Sequence, residues 1–198
     1  MPFHKIATNQ HITDNEFDEI FQNEIKSTSE IHFTPVEVCI VAARYLAEVA
    51  GTRVLDIGSG AGKFCFVGAS CTDGFFVGVE LRRSFSEAAS QIYTKNHLSN
   101  VQFIHANITD IDFSDYDAFY IFNAFHENIT ISERINDDIP LNKDFYYKYS
   151  MYVKEQLDSK PSGTRLVTYF SYGKEIPDSY EIKFSAFNGK LKFWEKGK

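Results

Sequence analysis

The chain has 198 residues and a formal net charge of −7 at pH 7, a length typical of one domain, and its acidic balance disfavours a broad basic surface for nucleic acid or anionic lipid. Cys39, Cys65 and Cys71 lie in apolar surroundings without a CxxC pair, so they indicate core residues in a reducing compartment rather than a disulfide framework or zinc site. Since no secretory leader opens the chain and no apolar stretch approaches the roughly 18 residues of a membrane span, we expect a cytoplasmic protein.

The first 50 residues predict a helical segment. Residues 1–13 are polar and are expected to form a loose arm, whereas residues 14–27 repeat apolar side chains at helical spacing. The next helix has a detailed start signal, because Thr34 can cap it and Pro35 suits the first helical position. Gly51 is expected to end that helix.

Residues 51–198 alternate between strands and helices. Because the strands are apolar throughout, they predict a mostly parallel sheet with helices on both faces. The chain ends in a predicted antiparallel hairpin with Asn188-Gly189 as a two-residue turn. We therefore expect one α/β domain over residues 1–198. The expected strands are 53–58, 75–80, 101–107, 116–123 and 164–170, and the later helices are 61–71, one around 85–92 and 142–158.

A glycine-rich loop, "DIGSGAGKF", follows the first strand. Gly58, Gly60 and Gly62 allow close approach of a ligand, and the next helix directs its N-terminus at the same place. Ligands of such sheets bind at the carboxyl ends of the strands, and Glu80 ends the second strand, where an acid commonly accepts ribose hydroxyls. Together, the glycine loop and Glu80 predict a ligand that contains a nucleoside. The alternative is that the loop is only a tight turn and that Glu80 is a surface carboxylate.

The loop also bears on which nucleoside compound binds. Dinucleotide sites usually have G-x-G-x-x-G, whereas this chain has G-x-G-x-G, with Asp56 two residues before Gly58. A carboxylate repels a pyrophosphate and attracts an ammonium group. The loop is therefore compatible with S-adenosylmethionine and less suited to NAD.

The segments "VLDIGSGAGKF", "GVE", "HANITD" and "DAFYIFNAF" resemble, in order and spacing, the motifs of class I, seven-strand S-adenosylmethionine-dependent methyltransferases. The resemblance covers the chain from about residue 33 to its end. It implies a three-layer α/β/α sandwich, with strand order 3-2-1-4-5-7-6 and strand 7 antiparallel. It also implies a Rossmann-like core over 51–198, preceded by the helical segment 1–50, and S-adenosyl-L-methionine as cofactor.

The resemblance implies a role for each matching residue. Asn123, after the fourth strand, would be the catalytic residue and face both the methyl group and the acceptor. The cofactor residues would be Asp56, Gly58 and Gly60 at the methionine end, Gly62 where the helix packs closely, Glu80 at the ribose, and Leu81, Asn107 and Ile108 at the adenine. Thr34 and the start of its helix would close over the cofactor.

The acceptor is less closely specified. Asn123-Ala124-Phe125 is similar to the Asn/Asp-Pro-Pro-aromatic motif of amino-methylating members but lacks its prolines. An amine in a protein or small molecule is therefore favoured, and a nucleic-acid base is disfavoured. His126 and Glu127 are candidate bases, and the loop 126–141 is expected to carry acceptor specificity.

Three further expectations concern the type of site. The histidines show no metal-ligand spacing, so we predict no metal. An NAD-linked oxidoreductase on a similar sheet remains one alternative function. A module that binds S-adenosylmethionine without catalysis remains the other.

Overall fold

The computed structural model describes residues 1–198 except 131, 133, 137 and 172. Its strands are β1 (Arg53–Ile57), β2 (Phe75–Glu80), β3 (Val101–His105), β4 (Ala118–Phe122), β5 (Arg165–Tyr169), β6 (Tyr180–Ala186) and β7 (Leu191–Lys196). They form one sheet in the order β3-β2-β1-β4-β5-β7-β6, with β7 antiparallel to both neighbours. The expected fold class and strand order are confirmed.

Helices cover both faces of this sheet. Short 3₁₀ helices also occur at Ile108–Asp110, Phe113–Asp115 and His126–Asn128. None of the helices in the described part of the chain has the length and apolar character needed to cross a membrane. The α-helices are α1 (Pro2–Ala7), α2 (Asp14–Asp18), α3 (Asn23–Lys26), α4 (Ser29–His32), α5 (Val36–Leu46), α6 (Lys63–Cys71), α7 (Arg83–Asn96) and α8 (Lys143–Asp158).

Each central strand is buried on both faces because its apolar residues alternate between two cores. In β1, Val54 packs in the core beneath the N-terminal helices, α5, α6 and α7. Leu55 and Ile57 pack in the opposite core beneath α8. This double burial gives the three layers, and the parallel pairing of β1 to β5 brings their carboxyl ends to one edge.

The N-terminal segment differs from its prediction. Residues 1–13 were expected to be a loose arm, but α1 buries Phe3 and Ile6 in the same core as the sheet. The ring centroids of Phe3 and Phe66, on α6, are 5.8 Å apart. The expected single helix over 14–27 is two short helices, α2 and α3. Contacts with distant elements, rather than local periodicity, decide these conformations.

The start of α5 also departs from its capping signal. Thr34 makes no cap, because its hydroxyl is hydrogen-bonded instead to the buried hydroxyl of Tyr120 at 2.8 Å. The helix begins at Val36, whose N–H donates to Asp14 Oδ1 at 2.8 Å, and it ends at Leu46, before the expected Gly51. A long-range partner therefore replaces the local cap.

The terminal hairpin has a longer turn than predicted. Ala186 pairs with Leu191, so residues 187–190 form the loop. Phe187, Asn188 and Gly189 all have positive φ, at 52°, 56° and 77°. The Asn-Gly pair lies in the turn as expected, but it is not a two-residue turn.

Candidate functional site

A cavity of about 440 Å³ lies at the carboxyl ends of β1 to β5. Its floor comes from the residues that follow these strands, and two outer walls come from the N-terminal segment at 30–33 and from the loop 126–141. Within that loop the structure describes 126–130, 132, 134–136 and 138–141. Seven of the predicted site residues line this cavity: Gly58, Gly60, Glu80, Leu81, Asn107, Ile108 and Asn123.

The glycine loop packs tightly against the end of β4. The N–H groups of Gly58 and Ser59 both donate to Val79 O at 3.0 Å, which folds the loop over β2. A Cβ on Gly58, whose φ is +75°, would lie 2.7 Å from Ala124 Cβ. A side chain therefore cannot fit at Gly58 unless the end of β4 moves.

Glu80 binds the glycine loop with its carboxylate. Its Oε2 accepts the N–H of Gly60 at 2.9 Å, and its Oε1 accepts the N–H of Arg82 at 2.8 Å. Burial raises the pKa of Glu80, while these backbone donors and the Arg82 charge act in the opposite direction. Each oxygen keeps a lone pair for a ligand in the cavity.

Asp56 does not line the cavity. It lies on the same face of β1 as Val54, and the Cys65 thiol donates to its Oδ2 at 3.5 Å. Burial is the main reason that the pKa of Asp56 is raised to about 8. The hydrogen bond from the Cys65 thiol acts to lower this pKa, and the negative charge of Glu80 acts to raise it. The expected electrostatic discrimination between a pyrophosphate and an ammonium group therefore has no support here, since this carboxyl is directed into the core behind the loop.

Gly62 also lies outside the cavity lining. A Cβ on Gly62 would lie 2.4 Å from the Phe103 ring, so the residue allows α6 to pack closely on β3. The resemblance implied close packing of the helix at Gly62.

Asn107 and Ile108 lie after β3. The Asn107 side chain caps a 3₁₀ helix, because its Oδ1 accepts the N–H of Thr109 at 3.1 Å and its Nδ2 donates to Tyr149 OH at 3.0 Å. Ile108 and Leu81 contribute apolar surface to the same end of the cavity. Their positions suit a flat apolar group.

Asn123 follows β4 with a φ of +45°. Its backbone carbonyl accepts the N–H of His126 at 3.1 Å. In the part of the chain that the structure describes, its side-chain amide makes no hydrogen bond although it lines the cavity. The amide is therefore available to a ligand.

Sequence reasoning missed the ion pair between Arg82 and Glu127. Arg82 is buried and donates to both carboxylate oxygens of Glu127, at 3.1 and 2.7 Å. Glu127 Oε2 also accepts the N–H of Ile135 at 2.9 Å, so the pair fixes the loop 126–141 to the end of β2. A carboxylate held in this way is a poor candidate for a general base. No local signal separates Arg82 from Arg83, which is exposed.

Lys63 was also missed. This buried side chain follows the glycine loop, and its Nζ lies 2.7 Å from Asp14 Oδ1 and 2.8 Å from Asp18 Oδ1. It thereby fixes the N-terminal segment, from which Phe33 and Pro35 line the cavity. Thr34, which was expected to close over the cofactor, does not line it.

Among the described residues, no group of three or more His, Cys, Asp or Glu side chains could hold a metal ion. The polar lining of the cavity includes the Glu80 carboxylate, the Asn107 and Asn123 amides and the Arg82–Glu127 ion pair, and many aromatic rings surround them.

A family model of the methyltransferase domain matches residues 48–187. The chain belongs to the methyltransferase domain family. The expected class, an S-adenosylmethionine-dependent class I methyltransferase, is confirmed, and S-adenosyl-L-methionine is its cofactor. The two alternatives, an NAD-linked oxidoreductase and a non-catalytic module, find no support. A comparison with curated protein sequences finds no significant match.

Solved structures with this fold include the following proteins. An RNA methyltransferase from Salinibacter ruber, in complex with S-adenosyl-L-homocysteine, is 20% identical with a TM-score of 0.56, over 83% of this chain and 94% of that one. TrmN from Thermus thermophilus is 15% identical with a TM-score of 0.60, over 87% of this chain and 52% of that one. An S-adenosylmethionine-dependent O-methyltransferase from Thermotoga maritima is 19% identical with a TM-score of 0.54, over 89% and 72%. At these identities the likeness shows the fold alone.

Proposed function

We propose that this methyltransferase transfers the methyl group to an amine nitrogen of a small molecule or protein, with Asn123 as its catalytic residue. The observation that carries the proposal is the Asn123 amide, which lines the cavity without a hydrogen-bond partner among the described residues. The net charge of −7 and the lack of prolines after Asn123 favour these acceptors over a polynucleotide.

The cavity suits the cofactor in shape and chemistry. A Cβ on Gly60 would project between the rings of Phe33 and Phe85, 3.8 Å from each, into space that the glycine leaves open. In the proposed arrangement Gly58 and Gly60 hold the methionine end, and Glu80 accepts the ribose hydroxyls with its remaining lone pairs. Leu81, Asn107 and Ile108 hold the adenine. Asp56 and Gly62 support the loop from the core side.

The bound cofactor supplies an activated methyl group on a sulfonium, so the protein contributes mainly position. The Asn123 amide oxygen accepts a hydrogen bond from the acceptor N–H and thereby directs the nitrogen lone pair at the methyl. Aromatic rings, among them Phe122 and Phe125, line the cavity on either side of Asn123. The free thiols of Cys39, Cys65 and Cys71 support a reducing, cytoplasmic setting for this reaction.

Asn123→Gly tests the proposal, because glycine keeps the left-handed backbone and removes the amide. Labelled methyl transfer into a cell extract should fall by about 100-fold, the order that a lost positioning contact costs. The affinity for S-adenosylhomocysteine, measured by calorimetry, should stay within about twofold, or roughly 0.4 kcal/mol.

His97→Gly is the matched control, since the exposed His97 also has positive φ but lies between α7 and the start of β3, at the edge of the sheet opposite the cavity. It should leave both quantities unchanged. Undiminished transfer by the Asn123 variant, or methylated product found in polynucleotide alone, would contradict the proposed role or acceptor.

A further inference from the structure

An aromatic wall lies beside Asn123 at the ends of β4 and β5. It consists of Phe122, Tyr169 and Phe170, all of which line the cavity. The centroids of Phe122 and Tyr169 are 5.0 Å apart, and those of Tyr169 and Phe170 are 4.7 Å apart. The three rings therefore form one continuous surface next to the candidate catalytic amide.

Phe170 is held in an unusual conformation within this wall. Its φ is +51°, a region that bulky side chains rarely adopt. Its N–H donates to Lys190 O at 3.1 Å, which holds the backbone in place, and its side chain remains 45% exposed. Strained residues cluster at ligand sites, because the strain persists only where the surroundings impose it.

One polar side chain accompanies the rings. Within the described parts of the chain the partly exposed Asn123 amide has no hydrogen-bond partner, and it lines the same cavity as the three rings. An amide can donate and accept hydrogen bonds. An aromatic surface with a free amide beside it matches a flat ligand that carries nitrogen.

The charges nearby favour an acceptor that is neutral. Lys190 Nζ lies 4.8 Å from the centroid of the Phe170 ring, so a cationic acceptor there would meet a like charge. Glu127, which could have taken a proton from an ammonium, is already paired with Arg82. An aliphatic amine is protonated at neutral pH, with a pKa near 10.4 for a lysine side chain, and would first need to lose that proton.

From these observations, and resting on the proposed function, we infer that the acceptor is a small planar heteroaromatic amine, neutral at pH 7, that stacks on Phe170 and the neighbouring rings. Its nitrogen lone pair forms the new N–C bond as the S–C bond of the donor breaks. The sulfur keeps that electron pair, and the surplus proton of the methylated amine passes to water. Phe170 acts here as a specificity-determining residue.

The test measures binding rather than turnover. Three probes are titrated by calorimetry into protein saturated with S-adenosylhomocysteine: 3-aminoquinoline, cyclohexylamine and cyclohexanecarboxamide. The first is planar and neutral, the second saturated and cationic, and the third saturated and neutral, so planarity and charge are separated. We expect 3-aminoquinoline to bind at least about tenfold more tightly than either saturated probe.

Phe170→Leu should abolish this preference, because leucine keeps the apolar character and the backbone constraint but removes the flat ring. Phe170→Tyr should restore it. Phe184→Leu is the matched control: Phe184 is 49% exposed, stacks on Phe193 and lies outside the cavity lining. All three variants should bind S-adenosylhomocysteine as the unaltered protein does.

The outcomes separate the two proposals. Failure of the unaltered protein to bind S-adenosylhomocysteine would contradict the proposed function itself. Binding of that compound without a preference for 3-aminoquinoline, or a preference that survives Phe170→Leu, would overturn the present inference alone. Displacement of 3-aminoquinoline by a short oligoadenylate that binds more tightly would overturn the small-molecule assignment in favour of a polynucleotide.

Discussion

Two buried carboxyl groups on neighbouring strands have different surroundings. Glu80 faces the cavity and accepts two backbone N–H groups, whereas Asp56 faces the core and accepts a thiol. Charged hydrogen bonds stabilise an ionised carboxylate, and burial with a weak donor does not. The pKa of Asp56 is accordingly raised to about 8.

Glu80→Gln should weaken the binding of S-adenosylhomocysteine by about 1–3 kcal/mol, the cost of a charged hydrogen bond to a ligand. Calorimetry measures the change. Glu87→Gln is the control, because Glu87 lies on the exposed face of α7 and pairs with Arg83. Equal affinities of the two variants for S-adenosylhomocysteine would mean that Glu80 only stabilises the glycine loop and does not bind the ligand.

Asp56→Asn should change how stability depends on pH. Because the folded pKa of Asp56 lies near 8, above its ordinary 3.8, the folded protein holds a proton that the unfolded chain releases. The free energy of unfolding therefore falls as the pH rises between these values, by up to about 1.4 kcal/mol per pH unit.

In the Asp56→Asn variant this part of the slope should disappear, and urea unfolding between about pH 5 and 7 measures it. The raised pKa of Glu80 gives a remaining slope of the same sign. Asp73→Asn, in an exposed turn, is the control. An unchanged slope in the Asp56 variant would show that Asp56 is ionised in the folded protein.

The helix after the glycine loop connects the site to the N-terminal segment. Lys63, in the first turn of α6, is buried between Asp14 and Asp18, and its Nζ lies 5.7 Å from the Phe17 ring centroid. A buried ion pair contributes little net stability, but removal of one partner leaves an uncompensated charge. The connection of the N-terminal segment to the glycine loop therefore depends on this lysine.

Lys63→Met should lower the free energy of unfolding by about 3–5 kcal/mol, as measured by urea denaturation. Adding Asp18→Asn to this variant should restore part of the lost stability, because it removes a buried carboxylate that no lysine now neutralises. Lys26→Met, which breaks an exposed pair with Glu19, should cost less than about 1 kcal/mol. Similar losses for the two lysine variants would argue against a structural role for the buried pair.

The N-terminal helices and the sheet share one hydrophobic core. Phe3, Phe17 and Phe33 pack in the same cluster as Val54 and Val167 from the central strands. These helices pack on one another and on α6 within the core that covers the sheet. Since this core is shared, we expect residues 1–198 to unfold as a single unit.

Two probes can test this cooperativity. Trp194 fluorescence reports on β7, and limited proteolysis within the first 50 residues reports on the N-terminal segment. Their midpoints in urea should coincide. Cleavage of the N-terminal segment at a clearly lower urea concentration would mean that it folds independently of the sheet.

The strand order was implied by the resemblance to class I methyltransferases. Local sequence features alone predicted the alternation of strands and helices, the glycine loop, and the places of Glu80 and Asn123 after their strands. These features depend on local properties: strands apolar throughout, glycines at fixed spacing, and the side of a parallel sheet where its loops meet. These features therefore do not depend on how the side chains pack.

The partner of each side chain depends on the three-dimensional fold. The Thr34 hydroxyl is hydrogen-bonded to Tyr120 instead of capping its helix, and the Asp56 carboxyl faces the core. Arg82, rather than Arg83, forms the ion pair with Glu127. Phe170 likewise joins the aromatic wall through a strand that is distant in sequence from Phe122. Such contacts depend on residues far apart in the chain, and local spacing carries no information about which of them meet.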